Sequence, residues 1–252
     1  MNYLRRGISG YHIPLLPKLY LPFAGLPPTP PFQSTEIFRG TITFIRHGQA
    51  NSHAKTEEDY DRLSELGHQQ AEWLGDWFSA QGEAFDQVIA GSLRRHKETA
   101  AGMGFADPLI DPRLNEMDYF NLGRAMEDVH GVPMPDGDGF AEHVPQVMEA
   151  WHRAEIMGNE TFKSFENRVS GILGEALQPG RNVLCVTSGG VIAMIMRHLL
   201  DLDPRRMAYM TLPIFNTSIH RVHVSPVGPI LAGFNSIPHL EASSRAHART
   251  HF

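Results

Sequence analysis

The 252-residue chain is 42% hydrophobic and carries a formal net charge of -6 from 22 basic and 28 acidic side chains. That length allows one large domain or two small ones, the apolar share supports a sizeable core, and the mixed charge excludes the basic footprint of a nucleic-acid binder. The single cysteine, Cys185, excludes an intramolecular disulfide and fits a reducing, cytoplasmic setting, and no apolar run is long enough to span a bilayer.

The first 39 residues read as an arm of their own. Prolines at 14, 17, 22, 27, 28, 30 and 31 forbid regular helix or central strand. A disordered or polyproline-like arm is expected, from an upstream start codon or as a targeting segment with Arg5, Arg6 and Lys18 ahead of its first acid, Glu36. It lacks the continuous apolar stretch of a signal peptide.

From Gly40 strands and helices alternate. Thr41-Ile42-Thr43-Phe44-Ile45 is a short β-rich run ending in Arg46-His47-Gly48. Ser64 is placed to cap a helix with Leu66, Leu74, Trp77 and Phe78 on one face. Gln87–Ala90 predicts a second strand, followed by a helix carrying Leu93, Ala100 and Met103. Residues 117–160 break the rhythm with Pro133, Pro135, Gly137 and Gly139, then Phe140, Val144, Val147, Met148 and Trp151. This is either an inserted cap or loop region over the sheet edge, shaping a pocket, or plain core. Residues 161–177 have the i, i+3, i+4 pattern of a helix. Val183–Val186 is a third buried strand, Val191–Leu200 an apolar helix, and 219–224 with 230–234 a closing hairpin. The alternation predicts an α/β three-layer sandwich with a mostly parallel central sheet and helices on both faces. Residues 40–235 form that domain, and 236–252, with His239, His247 and His251, read as a flexible tail, solvated or binding metal adventitiously.

Chemistry-bearing residues gather at the strand ends, where open α/β sheets bind ligands. An imidazole beside a guanidinium suits attack on a phosphorus whose oxygens the arginine holds. Four segments qualify: Arg46-His47-Gly48-Gln49; Leu63 to Ala71; Gly91 to Ala100, with Arg94 and Arg95; and Thr187-Ser188-Gly189-Gly190. Arg113-Leu114-Asn115-Glu116 lies between the last two.

Together these resemble the histidine phosphatase superfamily, the phosphoglycerate-mutase-like proteins. That family shows R-H-G after its first strand and L-T/S-x-x-G-x-x-Q-A at a helix start. It continues with S-x-L-x-R-x-x-x-T-A, an L-x-E segment, H-G-G after a late strand, and N-T-S, matched here by Asn216-Thr217-Ser218. The resemblance implies that His47 forms a phosphohistidine, that Arg46 and Arg95 clamp the phosphoryl oxygens with Ser188 and Gly189, and that Glu116 is the proton donor and later base. It implies no metal and no cofactor. Of the adjacent arginines only one can face the sheet edge, and the register selects Arg95, leaving Arg94 as surface charge. Asp118 and Glu127 are alternatives to Glu116, because the family's glycine four residues on is Phe120 here. His68 and His96, at helix starts, are expected at the surface or in packing.

Ser188 stands where the family has its second histidine, a shorter, neutral donor in place of an imidazole. Removing a donor aimed at transition-state charge costs on the order of 10² to 10³ in rate. Tyr60 to Gly67 and Thr187-Ser188-Gly189-Gly190 resemble a recurrent bacterial branch with this serine. His53 and Gln49 are accessory candidates; His53 is either a loop residue or a replacement imidazole. A nucleophile elbow at Ser188 is excluded by Val186 where glycine is needed, a P-loop NTPase by the missing G-x-x-x-x-G-K-[ST], and a mutase is disfavoured by the composition of Met117 to Arg124. The expected function is a metal-independent phosphomonoester hydrolase of unknown substrate, a small phosphorylated molecule or a phosphoprotein. The alternative is a phospholigand-binding protein of the same fold with little or no turnover. Nucleic acid and membrane are not expected partners, and oligomeric state is not legible.

Overall fold

The computed structural model describes residues 40–51, 54 and 56–251. The expectations for residues 1–39 and for His53 fall outside them. β1 (Gly40–Arg46) leads through α1 (Glu57–Tyr60) and α2 (Glu65–Gln81) to β2 (Gln87–Ala90), α3 (Arg94–Gly102) and β3 (Leu109–Ile110). Two helices follow in the 117–160 region, α4 (Tyr119–His130) and α5 (Phe140–His152), then α6 (Phe162–Ala176) and β4 (Arg181–Thr187). The chain closes with α7 (Gly189–Leu200), α8 (Pro204–Thr211), β5 (Ile219–Ser225) and β6 (Gly228–Ser236).

The six strands form one mixed sheet in the order β3-β2-β4-β1-β5-β6. The pairs β1–β4, β2–β4 and β2–β3 are parallel; β5 runs antiparallel to β1, and β6 to β5. Helices cover both faces, and the two-residue period of the strands divides the core accordingly. Ile42, Phe44, Val183 and Cys185 face one layer, with Phe165 and Leu173 of α6 and Ile192 and Ile195 of α7. Ile45, Leu184 and Val186 face the other, with Leu74 and Phe78 of α2 and Ala100 of α3. Cys185 is an apolar core residue; burial pushes its thiol up to about 12. Among the described residues no helix is long and apolar enough to cross a membrane.

Met148 and Trp151 of α5 are buried in the first layer, so that stretch is core on one side. The other side of the same region, Tyr119, Phe120 and Phe140, borders a cavity described below. The segment expected to be a flexible tail over 236–252 instead folds back, through residue 251, with two 3-10 turns, Pro238–Leu240 and Ser243–Ala248. Leu240 and Ala248 are fully buried. Hydrogen bonds hold the segment down: Gln70 Nε2 donates to the Ala248 carbonyl at 2.7 Å, and the Asn216 amide to the Thr250 carbonyl at 2.8 Å.

Register decides which strand ends meet. Arg46 lies opposite Thr187, and Ala90 opposite Val186. The residues just beyond β1, β2 and β4 therefore converge at one carboxyl edge.

Candidate active site

The loop after β1 is clamped by backbone contacts that only glycine permits. A Cβ on Gly48 would lie 2.5 Å from the Gly67 carbonyl oxygen, and one on Gly67 2.1 Å from that of Gln49. The first turn of α2 thus crosses the Arg46–Gln49 segment backbone to backbone. Gln70 accepts from the Gln49 amide at 2.8 Å, and Thr99 of α3 from the Gly48 amide at 3.0 Å. Asn216 Nδ2 donates to the His47 carbonyl at 3.2 Å, and the Thr217 amide to that of Arg46 at 3.0 Å. Thr217 takes φ +57°, a costly conformation for a β-branched residue, to make that contact. The motif residues away from the reacting atoms are scaffolding for this loop.

On it, His47 is buried and its Nδ1–H donates to the Gly48 carbonyl at 2.8 Å. A carbonyl can only accept, so the proton is on Nδ1 and the lone pair on Nε2. Burial, then the charges of Arg95 and Arg46, hold the imidazole well below its ordinary value. A neutral ring with one free nitrogen is the state a nucleophile requires.

Arg46 is buried and donates from Nη1 to the Ile214 carbonyl. Arg95 is fully buried, 3.3 Å from Asp61 Oδ1, with its guanidinium 5.0 Å from the Tyr60 ring centroid. Asp61 also accepts from the backbone amides of Arg94 and Arg95, seating the first turn of α3. Arg94 is exposed and pairs with Glu98 at 2.6 Å. Two guanidinium groups therefore converge beside His47, a fixed cation pair suited to a phosphoryl group.

Glu116 borders the same cavity as these groups. Its Oε2 accepts from the Gly190 amide at 2.9 Å, and Oε1 from the Met117 amide at 3.0 Å. Arg168 fixes the backbone before it, donating to the Arg113 and Asn115 carbonyls at 2.8 and 2.6 Å. Asp118 is occupied as the cap of α4, accepting from Asn121 and Asn159, and Glu127 is exposed on that helix. Gln49 does not face the cavity; its Oε1 accepts from Ser64 Oγ at 2.8 Å. Arg46, His47, Arg95, Glu116 and Gly189 together border a cavity of about 230 Å³. Its outer wall is Met117, Tyr119, Phe120, Met134, Phe140 and Val144, with Tyr60 beside the arginines. Among the described residues no cluster of His, Cys, Asp or Glu is arranged to hold a metal ion.

The sequence profile of the histidine phosphatase superfamily (branch 1) matches residues 42–237. The chain belongs to that superfamily. It is 28% identical over 132 residues, 42% of its length, to a 2,3-bisphosphoglycerate-dependent phosphoglycerate mutase of Methylorubrum extorquens (strain PA1). Over 79% of its length it is 25% identical to the mitochondrial serine/threonine-protein phosphatase Pgam5 of Drosophila willistoni. It spans 62% and 65% of the length of these two relatives. A crystal structure of a phosphoserine phosphatase mutant from Entamoeba histolytica, in complex with phosphoserine, shares the fold. It has a TM-score of 0.60 at 19% identity, covering 80% of this chain and 99% of that one.

Two residues of this superfamily member were not singled out as site residues from the sequence. Tyr60 lines the cavity and stands edge-on to His47, with ring centroids 6.1 Å apart. His96, expected at the surface or in packing, is fully buried. Its ring centroid is 5.7 Å from that of His47, and its Nε2 is 2.6 Å from Ser188 Oγ. His68 is exposed.

Proposed function

We propose that this chain is a metal-independent phosphomonoesterase that works through a phosphohistidine on His47. Nε2 attacks phosphorus while Arg46 and Arg95 neutralise the non-bridging oxygens and hold the group in line. Glu116 gives its proton to the departing oxygen and then takes one from the water that cleaves the phosphohistidine, which returns His47 and releases phosphate. The observation that carries this reading is the His47 tautomer, with Nδ1–H tied to Gly48, on a ring that borders the same cavity as the buried Arg46 and Arg95.

The wall beyond the cup supports an uncharged, apolar or aromatic alcohol as leaving group. Its described lining beyond Arg46 and Arg95 carries no further cation, whereas aromatic rings and methionines dominate it. A bisphosphorylated mutase substrate would need charge compensation at its second phosphate. The test is hydrolysis of phenyl and naphthyl phosphates against 3-phosphoglycerate and a sugar phosphate, with EDTA present. Aryl esters are expected to give the higher kcat/KM. Preference for 3-phosphoglycerate would contradict the apolar assignment, and loss of turnover in EDTA would contradict the metal-independent one. Ser188 favours a second reading, a phospholigand-binding protein, for which phosphate binds the native chain but no ester turns over.

A further inference from the structure

We propose that His96 and Ser188 form a donor dyad at the base of the phosphoryl cup, in which His96 fixes the serine so that its hydroxyl donates to the group in transfer. The inference rests on the phosphatase reading above and assigns the work of the imidazole absent from position 188 to a pair contributed by α3 and α7.

Ser188 is the N-cap residue of α7, yet its side chain makes no capping bond. A serine cap stabilises a helix by about 1 kcal/mol. The hydroxyl instead lies 2.6 Å from His96 Nε2. The direction of that bond follows from the other ring nitrogen. His96 Nδ1 is buried and has no hydrogen-bond partner among the described residues. Burial and the charge of Arg95 keep the ring neutral, so it carries one N–H. A buried N–H without a partner is rarer and costlier than a lone pair without one. The proton therefore belongs on Nε2, and Ser188 Oγ accepts it.

The serine hydroxyl then has its own proton to donate, and no acceptor among the described residues takes it. Ser188 is fully buried and is not itself in the cavity lining, but both its chain neighbours lie against Arg46, which is. Thr187 pairs with Arg46 across the sheet, and Gly189 borders the cavity within 3.7 Å of Arg46 Nε as measured from its built Cβ. The His96 ring itself neighbours that of His47. The position suits donation to an oxygen of the phosphoryl group during transfer, and no proton changes owner in this step.

The ring also occupies room that a glycine leaves open. A Cβ on Gly91 would fall 2.1 Å from His96 Nδ1. Any other residue at 91 would push the imidazole off Ser188.

The experiment compares His96→Leu, His96→Gln, Ser188→Ala and the His96→Leu/Ser188→Ala double variant on an aryl phosphate, with phosphate and orthovanadate as competing ligands. His96→Leu and Ser188→Ala are each expected to lower kcat by about 10² to 10³ while KM moves by less than about threefold. The double variant should be no worse than either single one, since both remove the same donor. Orthovanadate, which mimics the five-coordinate phosphorus, should weaken in step with kcat while phosphate changes little. His96→Gln retains an N–H donor and should recover part of the loss. Should a variant fail to fold, nitrogen NMR of the histidine-labelled native chain must show the Nε2–H tautomer at His96; the Nδ1–H tautomer overturns the proposal. Variants that lose only thermal stability, with kcat within about threefold of native, overturn the dyad and leave the phosphatase reading standing. A native chain that turns over no aryl phosphate overturns both.

Discussion

Gly190 offers a way to separate chemistry from stability. It is the second residue of α7, and its amide donates to Glu116 Oε2 at 2.9 Å. A Cβ built there falls 2.4 Å from Glu116 Oε1 and 2.6 Å from Met117 Cε, against an ordinary contact of 3.4 Å or more. Both obstructing atoms are the ends of flexible side chains, so Gly190→Ala is relieved by pushing the carboxylate back by about 1 Å rather than by moving backbone. A displacement of that size at a reacting group costs roughly 10² in rate. Stability should change by no more than about 1 kcal/mol, because alanine is the better helix former and the lost fit offsets it. The assay is kcat on two esters, one with a good leaving group such as p-nitrophenolate and one alkyl ester whose leaving oxygen needs a proton. The alkyl ester should lose the full factor and the nitrophenyl ester less, with the melting temperature almost unchanged. Equal losses on both esters, or no loss on either, would refute the placement of Glu116 as the proton donor.

Gly67→Ala should behave in the opposite way, because its Cβ meets the Gln49 carbonyl, which is backbone. A destabilisation of about 3 kcal/mol is expected, lowering the melting temperature by roughly 6 to 12 °C by calorimetry, and an unchanged melting temperature would contradict the crossing described here. Acid should weaken the fold through its buried histidines. Burial depresses His47 and His96 well below their ordinary value, aided by Arg95, and takes His220 and His239 down to about 3. The unfolded chain binds these protons near pH 6.5 and the folded chain does not, so stability is present above that pH and is lost as pH falls. Between pH 7 and 5.5 His220 and His239 account for a loss of about 2.5 kcal/mol, and His47 and His96 add to it in the same direction, read from urea midpoints; a flat profile would contradict it. Ser188→His alone should run into the His96 ring and lower activity, while His96→Ala in the same chain should restore it. A gain from the single change would speak against His96 holding that space.

How much of this was legible in the sequence depends on what each residue answers to. The strands and the long helices follow from periodicity and turn chemistry, which are local signals, and the grouping of Arg46, His47, Arg95 and Glu116 follows from the resemblance of their motifs to the family. β3 is two residues long, too short for any period. α8 has a readable start, with Asp203 as cap and Pro204 behind it. The segment 236–251 is held by side-chain to backbone bonds such as those of Gln70 and Arg249, which leave no hydrophobic repeat to read. His96 was missed because a polar residue in a helix's first turn reads as surface. A signal did exist: aligned on Leu93, Arg95 and Thr99, Gly91 stands where the family pattern has serine. That departure and Ser188 both touch one imidazole. Two departures in contact with the same side chain point to a rearranged site more strongly than either does alone.

The claim on which the rest depends is that Nε2 of His47 takes up the phosphoryl group. Rapid acid-free quenching of the native chain during turnover of an aryl phosphate, followed by peptide mapping, tests it directly. An acid-labile, base-stable phosphoryl group on the peptide carrying His47, absent in His47→Gln together with turnover, is the predicted result. Steady hydrolysis with no such adduct, or turnover that survives His47→Gln, would contradict it.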